Sequence, residues 1–307
     1  MSCNKQKSKG KAPAMIMSQK EEKLKTSKAA EAIMLLREAI YDREGRDRDV
    51  LADFGPMAKY DRNGLDLNIE FAAAKALKKD EGLFQQVIDL TRSNMADVYA
   101  WDEMEATDEL EDNAGRFLLV RERGGGALVG AAQFRFTLQG ELHSTCETHQ
   151  MIGEAVLLVF DVQLEPRVQR KGVGTRLMQL LELVCRKYKL AFLQARVHDG
   201  NDGATAFMAS HLKGFSVEAA SAAVQADADF MADIDFSVFS KTVNKTRAAA
   251  AAEKQVKQAE VLALAASIAK MQAGSAAAAP APPAPAKTLE DTPGAAAAAP
   301  AVVEPLD

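Results

Sequence analysis

The chain has 307 residues, of which 48% are hydrophobic, and a formal net charge of −5 at pH 7. This length allows one core of ordinary size plus tails, and the acidic balance argues against a protein whose whole surface binds nucleic acid. Three scattered cysteines are too few for a disulfide framework, which indicates a reducing compartment. The sequence has neither an apolar signal-peptide core nor a membrane-spanning run, so we expect an intracellular protein.

Both ends of the chain differ in composition from its middle. Residues 1–29 are rich in lysine and are predicted to be a disordered tail, whose basic run is either a nuclear import signal or only a solvated segment. Residues 244–273 are dominated by alanine, the best helix former, which predicts a helix. Residues 274–307 are Ala/Pro repeats that cannot build a core and are predicted to be disordered. The folded domain is therefore expected over residues 30–243.

The pattern of apolar residues in this domain predicts alternating secondary structure. Helices are predicted over 28–43, 81–99, 175–188 and 203–213, and strands over 116–122, 127–138, 154–165, 190–197 and 236–243. A turn at Asn63-Gly64 precedes alternating apolar residues, which predicts one more strand. The strand at 154–165 is apolar throughout and is expected to be buried on both faces. Together these elements predict a mixed α/β fold.

A positively charged, glycine-containing turn separates the strand at 154–165 from the next helix. The N-terminus of a helix presents free N–H groups and a positive dipole end, and glycines let the backbone approach an oxyanion closely. The turn matches neither G-x-G-x-x-G nor a P-loop, and retains only Q-x-x-G-x-G at Gln169, Gly172 and Gly174. This pattern predicts a nest for a pair of phosphates. The alternative is a basic surface turn that caps a helix.

In its position between strand and helix, this turn resembles the acetyl-CoA loop of the GNAT N-acetyltransferases. Asn201, Ala204 and Gly214-Phe215 resemble the N-x-x-A and GF segments that follow in that superfamily. Five stretches together are similar to the N-alpha-acetyltransferase D family: KYDRNGLDLNIE (59–70), DLTRSNMADVY (89–99), FRF (134–136), DVQLEPRVQRKGVG (161–174) and GNDGATAF (200–207). The resemblance implies the GNAT acyl-CoA N-acyltransferase fold, an α/β fold with a mixed central sheet flanked by helices, here with low-complexity tails.

The resemblance also implies an activity. Acetyl-CoA would be the co-substrate, and the acceptor would be the N-terminal serine of histone four and histone two-A tails, which begin Ser-Gly-Arg-Gly. It implies association with ribosomes or chromatin, no direct nucleic-acid site, no membrane attachment, and a location in the nucleus and cytoplasm. Two alternatives stay open: a GNAT enzyme that acts on lysine or a small amine, and a non-catalytic acyl-CoA-binding module.

Cofactor contacts carry over from the superfamily residue by residue. The strand before the turn would splay from its neighbour, and its backbone at Val162, Gln163 and Leu164 would pair with the pantetheine amides. The pyrophosphate would lie against the loop formed by Arg170, Lys171, Gly172, Val173, Gly174 and Thr175. Asn201 would hold the pantetheine arm, or else serve as an ordinary helix cap.

Asp161 stands where the resemblance places a catalytic glutamate. An α-amine has a pKa of about 7.7–8.0, so a modest base is enough for an N-terminal substrate. Aspartate is one methylene shorter than glutamate, which favours a relay through water. The alternative is a strand-end aspartate in a salt bridge. The oxyanion would be held by a backbone N–H of the same strand, that of Val162.

The resemblance places aromatic residues and one arginine around the peptide. Tyr99 matches a substrate-contacting tyrosine and is a second candidate for catalysis, and Trp101 lies near a tryptophan that walls the peptide pocket. Both could instead be core aromatics. Phe160, Arg196 and Phe236 occupy peptide-side positions, and the family has tyrosine in place of both phenylalanines. Phenylalanine keeps the apolar wall and loses a hydrogen bond.

Three further features differ from the family pattern or from a complete metal-binding motif. Thr137 and Gln139 replace two acidic residues that read the substrate arginine; the candidates to substitute for them are Glu141, Glu147, Glu154, Asp102, Glu103 and Glu105. Met208 replaces a tyrosine that often protonates the leaving thiolate. A polar loop carries His143, Cys146 and His149 without a fourth ligand nearby, so no metal is expected.

Overall fold

The computed structural model describes residues 19–98, 103–139, 153–218, 235–249 and 252. The helices are α1 (Gln19–Ile40), α2 (Ala74–Leu77), α3 (Glu81–Met95), α4 (Glu103–Glu111), α5 (Val173–Lys187) and α6 (Asp202–Ala206), and a π-helical turn at Phe207–His211 follows α6. The strands are β1 (Lys59–Arg62), β2 (Leu65–Ala73), β3 (Arg116–Glu122), β4 (Leu128–Leu138), β5 (Ala155–Leu164), β6 (Phe192–His198), β7 (Ser216–Val217) and β8 (Phe236–Thr242).

The longer predicted elements are confirmed. The β1–β2 hairpin turns at Asn63-Gly64, where both residues have positive φ (55° and 73°), as a two-residue hairpin turn requires. The predicted helix at 28–43 is longer than expected: α1 begins at Gln19, so the prediction that all of residues 1–29 form a disordered tail is wrong for residues 19–29. The residues of this added segment are mostly lysine, glutamate and glutamine, which are good helix formers and so extend the helix without an apolar period.

The sequence did not predict β1, α2, α4 or β7. Helix α4 has the sequence EMEATDELE, which is mostly charged and has too few apolar residues to show a helical period. The predicted alanine-rich helix is seen only at residues 245–249 and 252, which are helical. Residues 1–18 and 274–307, predicted to be disordered, lie outside the described residues, as do residues 250, 251 and 253–273. Within the described part of the chain, no helix is long and apolar enough to cross a membrane.

The strands form one mixed sheet in the order β1-β2-β3-β4-β5-β6-β8-β7. Neighbours pair antiparallel except β5 and β6, which run parallel and are joined through α5. Helices cover both faces. Leu118 and Val120 of β3 belong to the core formed with α1 and α5, whereas Phe117 and Leu119 pack with α2, α3 and α4. This alternation is that of a strand buried on both faces, and it confirms the predicted fold class.

Candidate active site

Strands β5 and β6 begin side by side and then separate. Their parallel pairing covers only Val156–Val159 against Phe192–Ala195, although β5 continues to Leu164 and β6 to His198. The divergence opens a cleft of about 740 Å³ between the carboxyl ends of the two strands. The splayed strand that the sequence implied is therefore present.

A β-bulge in β5 decides which way Asp161 points. Gln133 of β4 lies opposite Asp161, but Phe134 lies opposite Val159, so Phe160 is an extra residue on β5. Leu157 and Val159 belong to the core beneath α1 and α5, and Val162 and Leu164 pack against that same core. Phe160 and Asp161 between them both lie on the opposite face, toward α3 and α4. Without the bulge, strict alternation would turn the Asp161 carboxylate into the α1 and α5 core.

The backbone of β5 beyond the bulge offers hydrogen-bonding groups to the cleft. The Glu165 N–H donates to the Val129 carbonyl oxygen at 2.9 Å. Because antiparallel pairing uses alternate residues, Gln163 also pairs with β4, whereas Val162 and Leu164 direct their N–H and C=O groups toward the space that β6 has left. Of the three residues predicted to bind pantetheine through their backbone, Val162 and Leu164 thus face the cleft and Gln163 faces β4. The Leu164 carbonyl oxygen already accepts hydrogen bonds from Asn94 Nδ2 at 3.0 Å and Gln169 Nε2 at 2.9 Å, which leaves its N–H for a ligand.

The loop before α5 has the geometry of an anion nest. Arg170 and Gly172 have positive φ (57° and 88°), and α5 begins directly afterwards at Val173. The first intrahelical bond of α5 runs from the Arg176 N–H to the Gly172 carbonyl at 3.0 Å. The N–H groups of residues 173–175 precede that bond and stay available to a ligand at the end of the cleft.

The β1–β2 hairpin clamps this loop. Tyr60 Oη and Asn63 Nδ2 both donate hydrogen bonds to the carbonyl oxygen of Lys171, the latter at 2.9 Å. A Cβ at Gly172 would lie 2.7 Å from Tyr60 Oη, so the clamp also requires glycine there. The segment YDRNGL, noted from sequence only as a resemblance, thus holds the phosphate loop in place.

Removing the hydroxyl of the clamp should loosen the loop without disturbing its residues. We expect Tyr60→Phe to weaken acetyl-CoA binding by about 3- to 10-fold, the equivalent of one hydrogen bond, and to leave kcat at saturating acetyl-CoA near wild type. Calorimetry with acetyl-CoA measures the affinity. Phe71→Leu, a change on the neighbouring strand β2, is a control expected to leave the affinity unchanged. An affinity that Tyr60→Phe does not alter would contradict the clamp.

Asp161 lies in the cleft between charged and polar neighbours. Gln163 Nε2 donates to Asp161 Oδ1 at 3.1 Å, and Arg196 and Glu109 are its electrostatic neighbours. Burial raises the pKa of the Asp161 carboxyl, the charge of Glu109 acts in the same direction, and Arg196 and the Gln163 hydrogen bond oppose them. A carboxylate whose proton affinity is increased in this way is a better base than a solvated aspartate.

Residues 84–214 match the model of the acetyltransferase (GNAT) family. This region is a GNAT acetyltransferase domain. Enzymes of this family transfer an acetyl group from acetyl-CoA, and acetyl-CoA is accordingly the donor for this region. The cleft fits that donor, because it joins the N–H and C=O groups of Val162 and the N–H group of Leu164 to the anion nest at the start of α5.

Three solved structures illustrate the similarity of the GNAT domain to known proteins. A GNAT-family acetyltransferase from Listeria monocytogenes is 14% identical, with 60% of this chain and 99% of that chain covered and a TM-score of 0.40. Tetrahymena GCN5 is 12% identical (58% and 96% covered, TM-score 0.40). The PaiA N-acetyltransferase of Thermoplasma acidophilum, solved with coenzyme A, is 16% identical (57% and 99% covered, TM-score 0.37).

The raised pKa of Asp161 has a consequence for the stability of the GNAT domain. A folded-state pKa above the unfolded value of about 3.9 means that the folded protein is favoured below that value and loses this contribution as the pH rises through the folded pKa. We therefore expect Asp161→Asn to have a higher Tm than wild type at pH 8. The difference should shrink as the pH falls toward about 4, and thermal denaturation across this range measures it. A lower Tm for the variant at pH 8 would contradict the burial of a charged carboxylate.

The predicted acceptor side of the cleft is built around Arg196. Its guanidinium lies over the rings of Phe160 and Phe236, at 4.9 Å and 5.7 Å from their centroids, and pairs with Glu109 at 2.6 Å. The three residues predicted for the peptide side thus meet in one place, and α4 adds Glu109, which sequence reasoning missed. Tyr99 and Trp101, predicted for the same wall, lie outside the described residues.

The structure leaves few of the predicted residues available to bind a substrate arginine. Thr137 is buried, and the Gln139 amide donates to Glu218 at 2.7 Å. Glu154 is also buried and pairs with Arg247 at 3.1 Å, so it does not replace the acidic residues of the family. Glu141, Glu147 and Asp102 lie outside the described residues, and Glu103 and Glu105 fall on α4. Among the described acids of α4, Glu109 lines the cleft.

Asn201 is a helix cap that also lies at the cleft, so the predicted contact with the pantetheine arm stays a prediction. Its side-chain oxygen accepts the Ala204 N–H at 2.9 Å and caps α6, and the residue also lines the cleft. Met208, which stands in place of a tyrosine, is buried at the cleft wall. Among the residues that the structure describes, no group of three His, Cys, Asp or Glu side chains could hold a metal; the candidates His143, Cys146 and His149 are outside them.

Proposed function

We propose that this GNAT enzyme is a protein N-terminal α-amino acetyltransferase that acts on histone-type tails beginning Ser-Gly-Arg-Gly. The observation that carries the proposal is the position of Asp161. The β5 bulge turns its carboxylate out of the core, at the point where the cofactor half of the cleft meets the acceptor half. A single carboxylate suits an α-amine, a minority of which is neutral at pH 7, better than a lysine, whose pKa is near 10.4.

Transfer would proceed directly within a ternary complex. The neutral amine attacks the thioester carbonyl carbon, the new C–N bond forms as the C–S bond breaks, and Asp161 takes the amine proton directly or through water. The thiolate takes its proton from solvent, since Met208 offers none. The N–H of Val162, which faces the cleft, would stabilise the oxyanion. Cys185, the cysteine among the described residues, is buried in the core, where burial raises the pKa of its thiol, so it does not favour a covalent intermediate.

A substrate with arginine at the third position needs an acidic receptor. Glu109 supports this part of the proposal, because its carboxylate lines the acceptor half beside Phe160 and Arg196. When the substrate binds, Glu109 would release Arg196 and form an ion pair with the substrate guanidinium instead. The histone tails, association with ribosomes or chromatin, and a nuclear and cytoplasmic location stay part of the proposal, and fluorescence microscopy of the tagged chain would test the location.

A panel of peptides tests the function. We expect acetyl transfer from acetyl-CoA to a Ser-Gly-Arg-Gly peptide with a free N-terminus, and none to the same peptide when its N-terminus is blocked and a lysine is the only amine. A Ser-Gly-Ala-Gly peptide should react more slowly, through a higher KM. Mass spectrometry locates the acetyl group. Transfer to lysine or to a small amine in preference would favour the alternative GNAT specificity, and acetyl-CoA binding without any transfer would favour a binding module.

A further inference from the structure

Two amide side chains connect helix α3 to Asp161. Asn94 Nδ2 donates to Gln163 Oε1 at 3.0 Å and to the carbonyl oxygen of Leu164 at 3.0 Å. Gln163 Nε2 in turn donates to Asp161 Oδ1 at 3.1 Å. The Gln163 side chain is buried, with 6% of the residue exposed, so water competes little for these bonds. Neither Asn94 nor a role for the Gln163 side chain was predicted from the sequence.

The direction of this hydrogen-bond chain is set by a backbone group. The carbonyl oxygen of Leu164 can only accept, so the Asn94 amide must turn its NH₂ group toward β5. The Gln163 amide must then present its oxygen to Asn94, which leaves its own NH₂ group for Asp161. Flipping either amide would set two donors or two acceptors against each other, so the donor toward Asp161 is fixed by the fold.

We propose that Asn94 and Gln163 are positioning residues that hold Asp161 as a carboxylate, with Oδ1 occupied and Oδ2 left to take the proton of the substrate amine. The inference rests on the proposed role of Asp161 as the base. Among the described residues no donor contacts Asp161 Oδ2. A hydrogen bond donated to a carboxylate stabilises the charged form. The chain therefore opposes the effect of burial, which raises the pKa of the Asp161 carboxyl.

Charged groups from three elements also face Asp161 or border its site. Arg196 on β6 favours the carboxylate and Glu109 on α4 disfavours it. Arg135 on β4 lies over the Phe160 ring at 4.2 Å and pairs with Asp112 at 2.8 Å. None of these groups is altered when the amides are replaced, so a change in the titration of Asp161 would report the amides alone.

The experiment compares pH profiles of kcat/KM on the intact enzyme. Gln163→Met keeps the length of the side chain and removes the donor, so the acidic limb should move to higher pH by about 0.5–1 unit. Acetyl-CoA affinity should stay within about twofold, because the Gln163 backbone is unchanged. Asn94→Leu should move the limb in the same direction but less. Asn68→Leu removes an amide whose hydrogen bond, among the described residues, goes to Glu70 on β2 at 3.0 Å, and it should leave the profile unchanged.

Asp161→Asn separates failure of this inference from failure of the proposed function. If Asp161→Asn itself keeps the wild-type profile, Asp161 is not the base, and both the positioning role and the proposed function of Asp161 are overturned. If it changes the profile while Gln163→Met and Asn94→Leu lower kcat/KM equally at every pH, or not at all, only the positioning role is overturned. In the Asp161→Asn background, Gln163→Met should add no further shift. Should Gln163→Met fail to fold by circular dichroism, Asn94→Leu decides, since Asn94 lies on a helix with its side chain at the cleft.

Discussion

Gly174→Asp is expected to abolish acetyl-CoA binding, with an affinity at least about 100-fold below that of the wild type. The new carboxylate would stand in the first turn of α5, among the N–H groups that precede the first intrahelical bond, where the phosphates are to lie. It would accept the hydrogen bonds of these N–H groups in place of the phosphates, and its negative charge would also repel a bound anion. Calorimetry with acetyl-CoA and with coenzyme A measures the loss.

Two controls separate charge from shape in this experiment. A Cβ at Gly174 would lie 3.3 Å from the ring of Phe207, so Gly174→Ala reports the steric part and should weaken binding far less. Gly124→Asp makes the same change of charge in the β3–β4 turn, where a Cβ meets nothing within 4 Å, and should bind acetyl-CoA normally. Unchanged affinity of Gly174→Asp, with the fold intact by circular dichroism, would show that the phosphates lie elsewhere.

Asp161→Asn is expected to lower kcat/KM for a Ser-Gly-Arg-Gly peptide by about 100-fold at pH 7, the low end of the usual contribution of a general base. The low end is expected because the α-amine needs little help near neutrality. As the pH rises above about 8 the amine loses its proton unaided, so the gap between variant and wild type should narrow. The affinity for acetyl-CoA should hardly change, because the Asp161 side chain lies on the face opposite Val162 and Leu164.

The measurement is kcat/KM from pH 6 to about 9.5, the range that spans the α-amine pKa. Asp108→Asn, an equivalent change at an exposed position on α4, is the matched control and should follow the wild-type profile. If the curve of Asp161→Asn has the height and shape of the wild-type curve, Asp161 is a structural residue. Tyr99 would then be the next candidate for the base.

The local sequence pattern was sufficient to predict many of the strands and helices of this protein. The apolar periods of β3, β4, β5 and α5 were sufficient to place these elements, because each packs a face or a stripe whose spacing matches its own geometry. Gly172 and Gly174 before a helix predicted the anion nest, since free N–H groups and positive φ are properties of the chain itself. The same holds for Asn63-Gly64, which turns the hairpin in the way its two residues favour.

Contacts between distant segments decided the rest. The bulge at Phe160 arises from the register between β5 and β4, and no pattern in AVLLVFDVQL marks it, because the residues on either side look like one continuous strand. Glu109 reaches Arg196 from a helix whose sequence lacks a clear period. Asn94 lies 69 residues from Gln163 in the chain, and their hydrogen bond exists only because α3 packs across β5.

The sequence by itself therefore determined the fold class and the half of the cleft that is to hold the phosphates, because both depend on spacing within a few residues. Only the tertiary structure decided the acceptor half. Whether Asp161 faces the core or the cleft depends on one inserted residue in a strand register, and that register is set by packing on both faces of the sheet. The same packing brings Glu109 and Arg196 to Asp161, and Asn94 to Gln163 beside it, each from a different element.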